Sequence, residues 1–169
     1  MRPMPTVISD ASVLICLGAV GQFQLLREFY SEVLVPPAVW AEVTDAGMRL
    51  GAAEAHAAKN DGWLQLRAPA STPLLAHLGR TLDAGEAEAI ALATELPQSL
   101  LLLDDADGRE TARQMGLDFT GTVGVLLRAK RAGKLPALKP ILDIMIQRQS
   151  FRLSRPLYEG VLRQAGEAP

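Results

Sequence analysis

Four consecutive leucines, Leu100 to Leu103, run straight into Asp104 and Asp105, and no other stretch restricts the fold as strongly. A strand of that composition has no polar face. It needs cover on both sides, which parallel sheets with helical crossovers provide. Thr6-Val-Ile-Ser-Asp10 repeats the pattern: a short, β-branched, apolar strand that stops at an acid. Glu32 to Val35 is a third such segment, and Trp63 to Leu66 a fourth, ended by Pro69.

Helical spacing fills the intervals. Leu14, Leu17 and Val20, then Phe23, Leu26 and Phe29, fit two short helices broken near Gly21. Pro37 pre-sets the first turn of a helix bearing Val39, Trp40, Glu42 and Val43. Alanine-rich residues 50–59 predict another helix, Pro69 to Pro73 a loop, and Asp83-Ala-Gly-Glu86 the start of a helix that Pro97 ends. Helices follow near Ala106 to Met115 and from Thr122 to Arg131, the latter stopped by Gly133, with a short segment Leu117 to Thr120 between them. Two more, around Leu138 to Met145 and Leu157 to Gln164, complete the chain.

Strands alternating with helices predict an α/β fold with a mostly parallel central sheet flanked by helices. With 169 residues and no linker, repeat or charge block, one domain is expected over 1–169, with a core at about 5–132 and a C-terminal helical extension at about 136–166. Charged residues make up 21% against 49% hydrophobic, which excludes wholesale disorder. No apolar run approaches the ~20 residues needed to span a bilayer, so no membrane association is expected. Val13 to Val20 only faintly imitates a signal peptide, since Asp10 interrupts its approach. Cys16 is the single cysteine, and it fits a buried small hydrophobe in a reducing cytoplasm.

The net charge of −2 conceals two opposed stretches. Residues 83–110 hold eight acids against one base, Arg109, and residues 121–155 hold eight bases against one acid, Asp143. The first can hold cations and the second can hold phosphates.

In open α/β sheets, ligands bind beyond the carboxyl ends of the strands, and the acids fall there. Asp10 ends the first strand and Asp104 and Asp105 the leucine strand. Glu42 lies about two turns past the second strand, and Glu86 opens the helix leading into the leucine strand. Converging carboxylates repel unless cations compensate, and oxygen-preferring Mg²⁺ or Mn²⁺ is the natural compensation. Such an ion can activate water and stabilise a phosphoryl group under attack. Each acid also has a plainer role: Asp10, Asp104 or Asp105 as N-caps, Asp83 with Glu86 as a capping box, and Glu42 as a solvated helix residue. Asp107 and Glu110 fit i,i+3 and i,i+4 pairing with Arg109 and Arg113, and the basic residues fit a solvated face as well as a phosphate-binding one. His56 and His77 have no ligand-like spacing to other donors, and Gly121-Thr-Val-Gly124 lacks the lysine and glycine spacing of a phosphate loop.

Five segments together resemble the PIN-domain nucleases, in the branch of small prokaryotic proteins related to VapC-type toxins. They are 7–12 (VISDAS), 35–43 (VPPAVWAEV), 82–90 (LDAGEAEAI), 103–109 (LDDADGR) and 121–126 (GTVGVL). The resemblance implies a PIN-like three-layer sandwich and an acidic pocket for one or two Mg²⁺ or Mn²⁺ ions that cuts RNA. It makes Asp10 the first metal ligand and catalytic acid, Glu42 the second, Glu86 the third and Asp104 or Asp105 the fourth, with Ser12 the small hydroxyl beside the first. For the third acid, Glu86 is better placed than Glu88 or Asp83. Typical members have aspartate there, and a small hydroxyl residue where Leu103 precedes the doubled aspartate. A cognate antitoxin and a homodimer are implied as partners.

The leading expectation is therefore a cytoplasmic Mg²⁺- or Mn²⁺-dependent endoribonuclease, the toxin of a toxin–antitoxin pair, with Ser12, Arg109, Arg128, Lys130, Arg131 and Lys134 contacting RNA. The alternative is a PIN-like binding module with little or no turnover. Phosphoryl transfer to an aspartate would want a lysine at a strand end, and none stands there.

Overall fold

A computed structural model of the chain describes residues 4–45 and 50–169. They divide into two compact units, 1–121 and 122–169.

The first unit is built on five strands: β1 (Thr6–Ser9), β2 (Glu32–Val35), β3 (Leu64–Leu66), β4 (Leu100–Leu102) and β5 (Phe119–Thr120). All pairings are parallel and the order is β3-β2-β1-β4-β5. Ile8 of the central β1 stands opposite Leu34 on one side and Leu101 on the other. Successive residues Val7 and Ile8, Val33 and Leu34, and Leu101 and Leu102 are all buried, so both faces are covered. That is the burial a leucine-only strand requires, and the fold class is the expected α/β sandwich with the sheet entirely parallel.

Among the described residues, seven helices connect these strands: α1 (Ala11–Ala19), α2 (Leu25–Phe29), α3 (Pro37–Thr44), α4 (Ala52–Asn60), α5 (Thr72–Leu78), α6 (Ala84–Glu95) and α7 (Ala106–Gln114). Alanines 87, 89, 91 and 93 make α6 slim, and it shares one core with Ile8, Leu34 and Leu101. The loop expected over Pro69 to Pro73 is shorter than that. Ser71 accepts a hydrogen bond from the Leu74 amide, and the two residues after this cap, Thr72 and Pro73, already form the first turn of α5.

The second unit holds α8 (Thr122–Arg131), α9 (Lys139–Arg148) and α10 (Arg155–Gln164). Ser154 caps α10, so it begins two residues before the expected Leu157. Glu167 accepts from the Leu138 and Lys139 amides at 2.7 and 3.2 Å, closing the N-terminus of α9. Among the described residues, no helix is long and apolar enough to cross a membrane.

Candidate active site

The chain leaves β1 toward β2 on one side, while β4 enters on the other, so the strand order reverses between β1 and β4. Crevices at such reversals, outside the carboxyl ends of the strands, are where α/β sheets bind ligands. Asp10 and Asp104 are the first residue past Ser9 and the second past Leu102. The Asp10 amide donates to the Leu102 carbonyl at 3.0 Å, which extends the β1–β4 ladder and holds Asp10 at its end.

Asp10 is only 3% exposed and its carboxylate accepts the Val13 amide at 3.0 Å, capping α1. Burial pushes its pKa well above the usual carboxylate range, against the pull of the Val13 amide, and the charges of Asp104 and Glu86 add to the rise. Glu86 sits in the first turn of α6. Burial first, then the charges of Asp83 and Asp105, raise its pKa from 4.5 to about 7, helped by a hydrogen bond with the Asp105 side chain. Asp83 caps α6 through the Glu86 amide at 2.8 Å, and Asp105 caps α7 through the Asp107 and Gly108 amides at 2.9 and 3.2 Å. Capping and convergence are thus simultaneous: three caps place three carboxylates at one sheet edge.

Asp10, Ser12, Glu42, Asp83 and Glu86 line one small pocket whose free space is about 10 Å³, about one water-sized sphere. Ser12 and Glu42 are exposed, and Glu42 reaches in from α3. Two glycines permit the approach. A Cβ on Gly85 would lie 3.6 Å from both Asp83 Oδ1 and Glu42 Oε2, and one on Gly121 would lie 2.5 Å from Asp104 Oδ1. The Cys16 thiol is also within the field of these acids: burial, Asp104 and Asp10 raise its pKa to about 11.

The donor set is all oxygen and strongly anionic, the chemistry that suits Mg²⁺ or Mn²⁺. As the side chains stand, no three His, Cys, Asp or Glu among the described residues form a metal-ligating group. In type and charge the donor set nonetheless fits a hard divalent ion, and Asp10, Glu42, Glu86, Asp104 and Asp105 are the residues that would hold it.

The remaining candidates are placed as follows. Arg109 lies over the Phe119 ring, 5.2 Å from its centroid, with Arg113 at 5.5 Å. Arg113 also pairs with Glu110, as the helical spacing predicts. Arg128, Lys130 and Arg131 fall in the last turn of α8. Lys134 lies beyond it, because the chain turns at Gly133 with φ +72°, so Lys134 does not continue the helical face that carries Arg128, Lys130 and Arg131. Lys130 Nζ donates to the Pro136 carbonyl at 2.7 Å and Arg131 Nη2 to Gln164 Oε1 at 3.3 Å, so both contribute to the second unit's own structure. His56 meets the Trp40 ring edge-on.

Glu88 has an architectural role that its sequence context does not announce. Its Oε2 accepts the Ala38 amide at 2.8 Å across 50 residues, a contact without a local signature.

A family model described as PIN domain (DUF3368) matches residues 6–167. Among solved structures, the chain is similar to a PilT N-terminus domain protein of the hyperthermophilic archaeon Sulfolobus solfataricus P2, at 18% identity and a TM-score of 0.47. That similarity covers 79% of this chain and 96% of the other. No curated protein matches.

Proposed function

This chain belongs to the PIN-domain family, whose fold is nuclease-type, and from that premise we propose that it is a Mg²⁺- or Mn²⁺-dependent endoribonuclease. The observation carrying the proposal is the placement of Asp10, Glu86, Asp104 and Asp105 about the sheet's strand-order reversal, within electrostatic reach of one another. Carboxylates held together from three segments of the chain favour a divalent cation as the relief of their repulsion.

In this reading the ion supplies an activated water and neutralises charge on the phosphoryl group. Asp10, fixed by the Val13 amide, and Asp104, against Gly121, form the rigid side of the site. Glu42 and Glu86 are the longer acids, entering from α3 and α6. Ser12, exposed at the pocket rim, and Arg109 hold the RNA backbone near the cut, while Arg128, Lys130, Arg131 and Lys134 bind it electrostatically. The protein acts in the cytoplasm as the toxin of a toxin–antitoxin pair, as a homodimer restrained by its antitoxin.

The test is incubation of the purified protein with RNA and Mn²⁺, with and without a chelator. Chelator-sensitive cleavage that disappears in Asp10→Asn supports the proposal. RNA or protein binding without turnover in any divalent ion favours the second reading, a binding module.

A further inference from the structure

We infer that Glu88 is a positioning residue that pins α3 to α6 and thereby sets Glu42 in register with Glu86. The inference rests on the metal-site reading above for its consequence, and on hydrogen bonding and packing for the clamp itself.

Helix α3 begins without a cap of its own. Pro36 at the N-cap offers no side-chain acceptor, and Pro37 at the first position has no N–H. Ala38 therefore carries the first amide needing a partner, and helix ends leave such donors unsatisfied unless something outside the helix accepts them. Glu88 Oε2 accepts it at 2.8 Å. A carboxylate at a helix N-terminus is further favoured by the helix dipole, and an ionised acceptor makes a stronger bond than a neutral one.

The geometry of the two helices turns this cap into a ruler. On α6, Gly85 and Glu88 are three residues apart and share a face; on α3, Ala38 and Glu42 are four apart and share a face. Glu88 meets Ala38 at one end of the contact. At the other, the bare Gly85 lies against Val39 and Glu42: a Cβ there would stand 3.2 Å from Val39 Cγ2 and 3.6 Å from Glu42 Oε2. One turn of α3 thus separates the anchored amide from the acid that enters the pocket. Glu86, two residues before Glu88, lines the same pocket from α6. Glu88 is not among the lining residues, so its effect on the site passes through α3.

Two conservative variants separate reach from charge. Glu88→Gln keeps the length and an oxygen acceptor but removes the charge. Glu88→Asp keeps the charge but is one methylene too short for the 2.8 Å contact. Amide exchange at Ala38, read by NMR, and Mn²⁺ affinity, read by calorimetry, are measured on the full chain. A clamp requires Glu88→Gln to keep Ala38 protected, though less strongly than the charged parent, and to leave Mn²⁺ affinity close to the parent's. It requires Glu88→Asp to lose Ala38 protection and to bind Mn²⁺ on the order of tenfold more weakly, as removal of an outer-shell support does.

The reverse order, with Glu88→Gln weak and Glu88→Asp parental, would make Glu88 a ligand or field residue and overturn the inference. So would lost protection with unchanged Mn²⁺ affinity, which marks a merely structural cap. If the parent itself does not bind Mn²⁺, it is the metal reading that fails. Ala38 exchange in the two variants then decides the clamp alone, protection kept in both overturning it.

Discussion

Asp10 accepts the Val13 amide while standing beside Asp104 and Glu86, and an Asp10→Asn variant pulls these two roles apart. Asparagine caps helices about as well as aspartate, so the folded state should survive with a melting temperature at or above the parent's, because one repelling charge is gone. RNA cleavage with Mn²⁺ should fall below detection. A variant that unfolds yet cleaves normally per folded molecule would reduce Asp10 to a cap. Gly121→Ala probes the same wall from the other side. Its new methyl would arrive 2.5 Å from Asp104 Oδ1 and force that carboxylate aside, so calorimetry should show Mn²⁺ binding weakened about tenfold or more. Glu86 gives the site a pH signature. Its folded pKa of about 7 exceeds the ordinary 4.5, so the folded chain holds the extra proton between these values. The stabilisation is fully present below 4.5 and is lost as pH rises through 7. Without divalent ions, the melting temperature should therefore drop between about pH 5 and about pH 8 by more in the parent than in Glu86→Gln. Mn²⁺ should restore the parent at the alkaline end of that range. Equal drops in both proteins would remove Glu86 from the account.

Among the elements, β4 is the one whose sequence and role agree most completely. Leu101 and Leu102 are 0% exposed and sit between β1 and β5. Leu101→Ala should cost about 2–5 kcal/mol in denaturant unfolding, the usual range for a buried leucine. A cost below about 1 kcal/mol would mean that the central sheet collapses around the gap. Elements of this kind are legible in the sequence because their signals are local: apolar runs that stop at acids, Pro37 opening α3, Gly133 turning the chain after α8. Acids at strand ends are legible for the same reason. Glu88, Glu95 and Glu167 are not, although each closes a distant backbone. Glu95 accepts from the Ala70 and Ser71 amides at 2.7 and 3.1 Å, 25 and 24 residues away. No periodicity within α6 separates an acid facing solvent from one reaching another helix, and that information exists only once β-strand order is set. The same holds for Gly85 and Gly121, whose missing side chains matter only because of what the fold brings against them.

For the molecule as a whole, the opposed charges of residues 83–110 and 121–155 make ionic strength informative. Replacing Arg128, Lys130, Arg131 and Lys134 together with Gln should weaken RNA binding irrespective of sequence. The slope of log affinity against log salt should flatten by about 0.7 for each phosphate of a single strand that these side chains no longer neutralise, with Mn²⁺ affinity unchanged. A slope equal to the parent's would confine these side chains to roles such as the hydrogen bond from Lys130 to the Pro136 carbonyl. The central place of β1 has a consequence in time. Its neighbour β2 is synthesised soon after it, but β4, which closes its other edge and brings Asp104 beside Asp10, follows 94 positions later. At ~5–20 residues per second, a nascent chain spends roughly 5–20 seconds with its first carboxylate made and its fourth not yet translated. For that interval the chain carries an open sheet edge on β1 and no assembled acidic crevice, so its carboxylates converge only once β4 has been made.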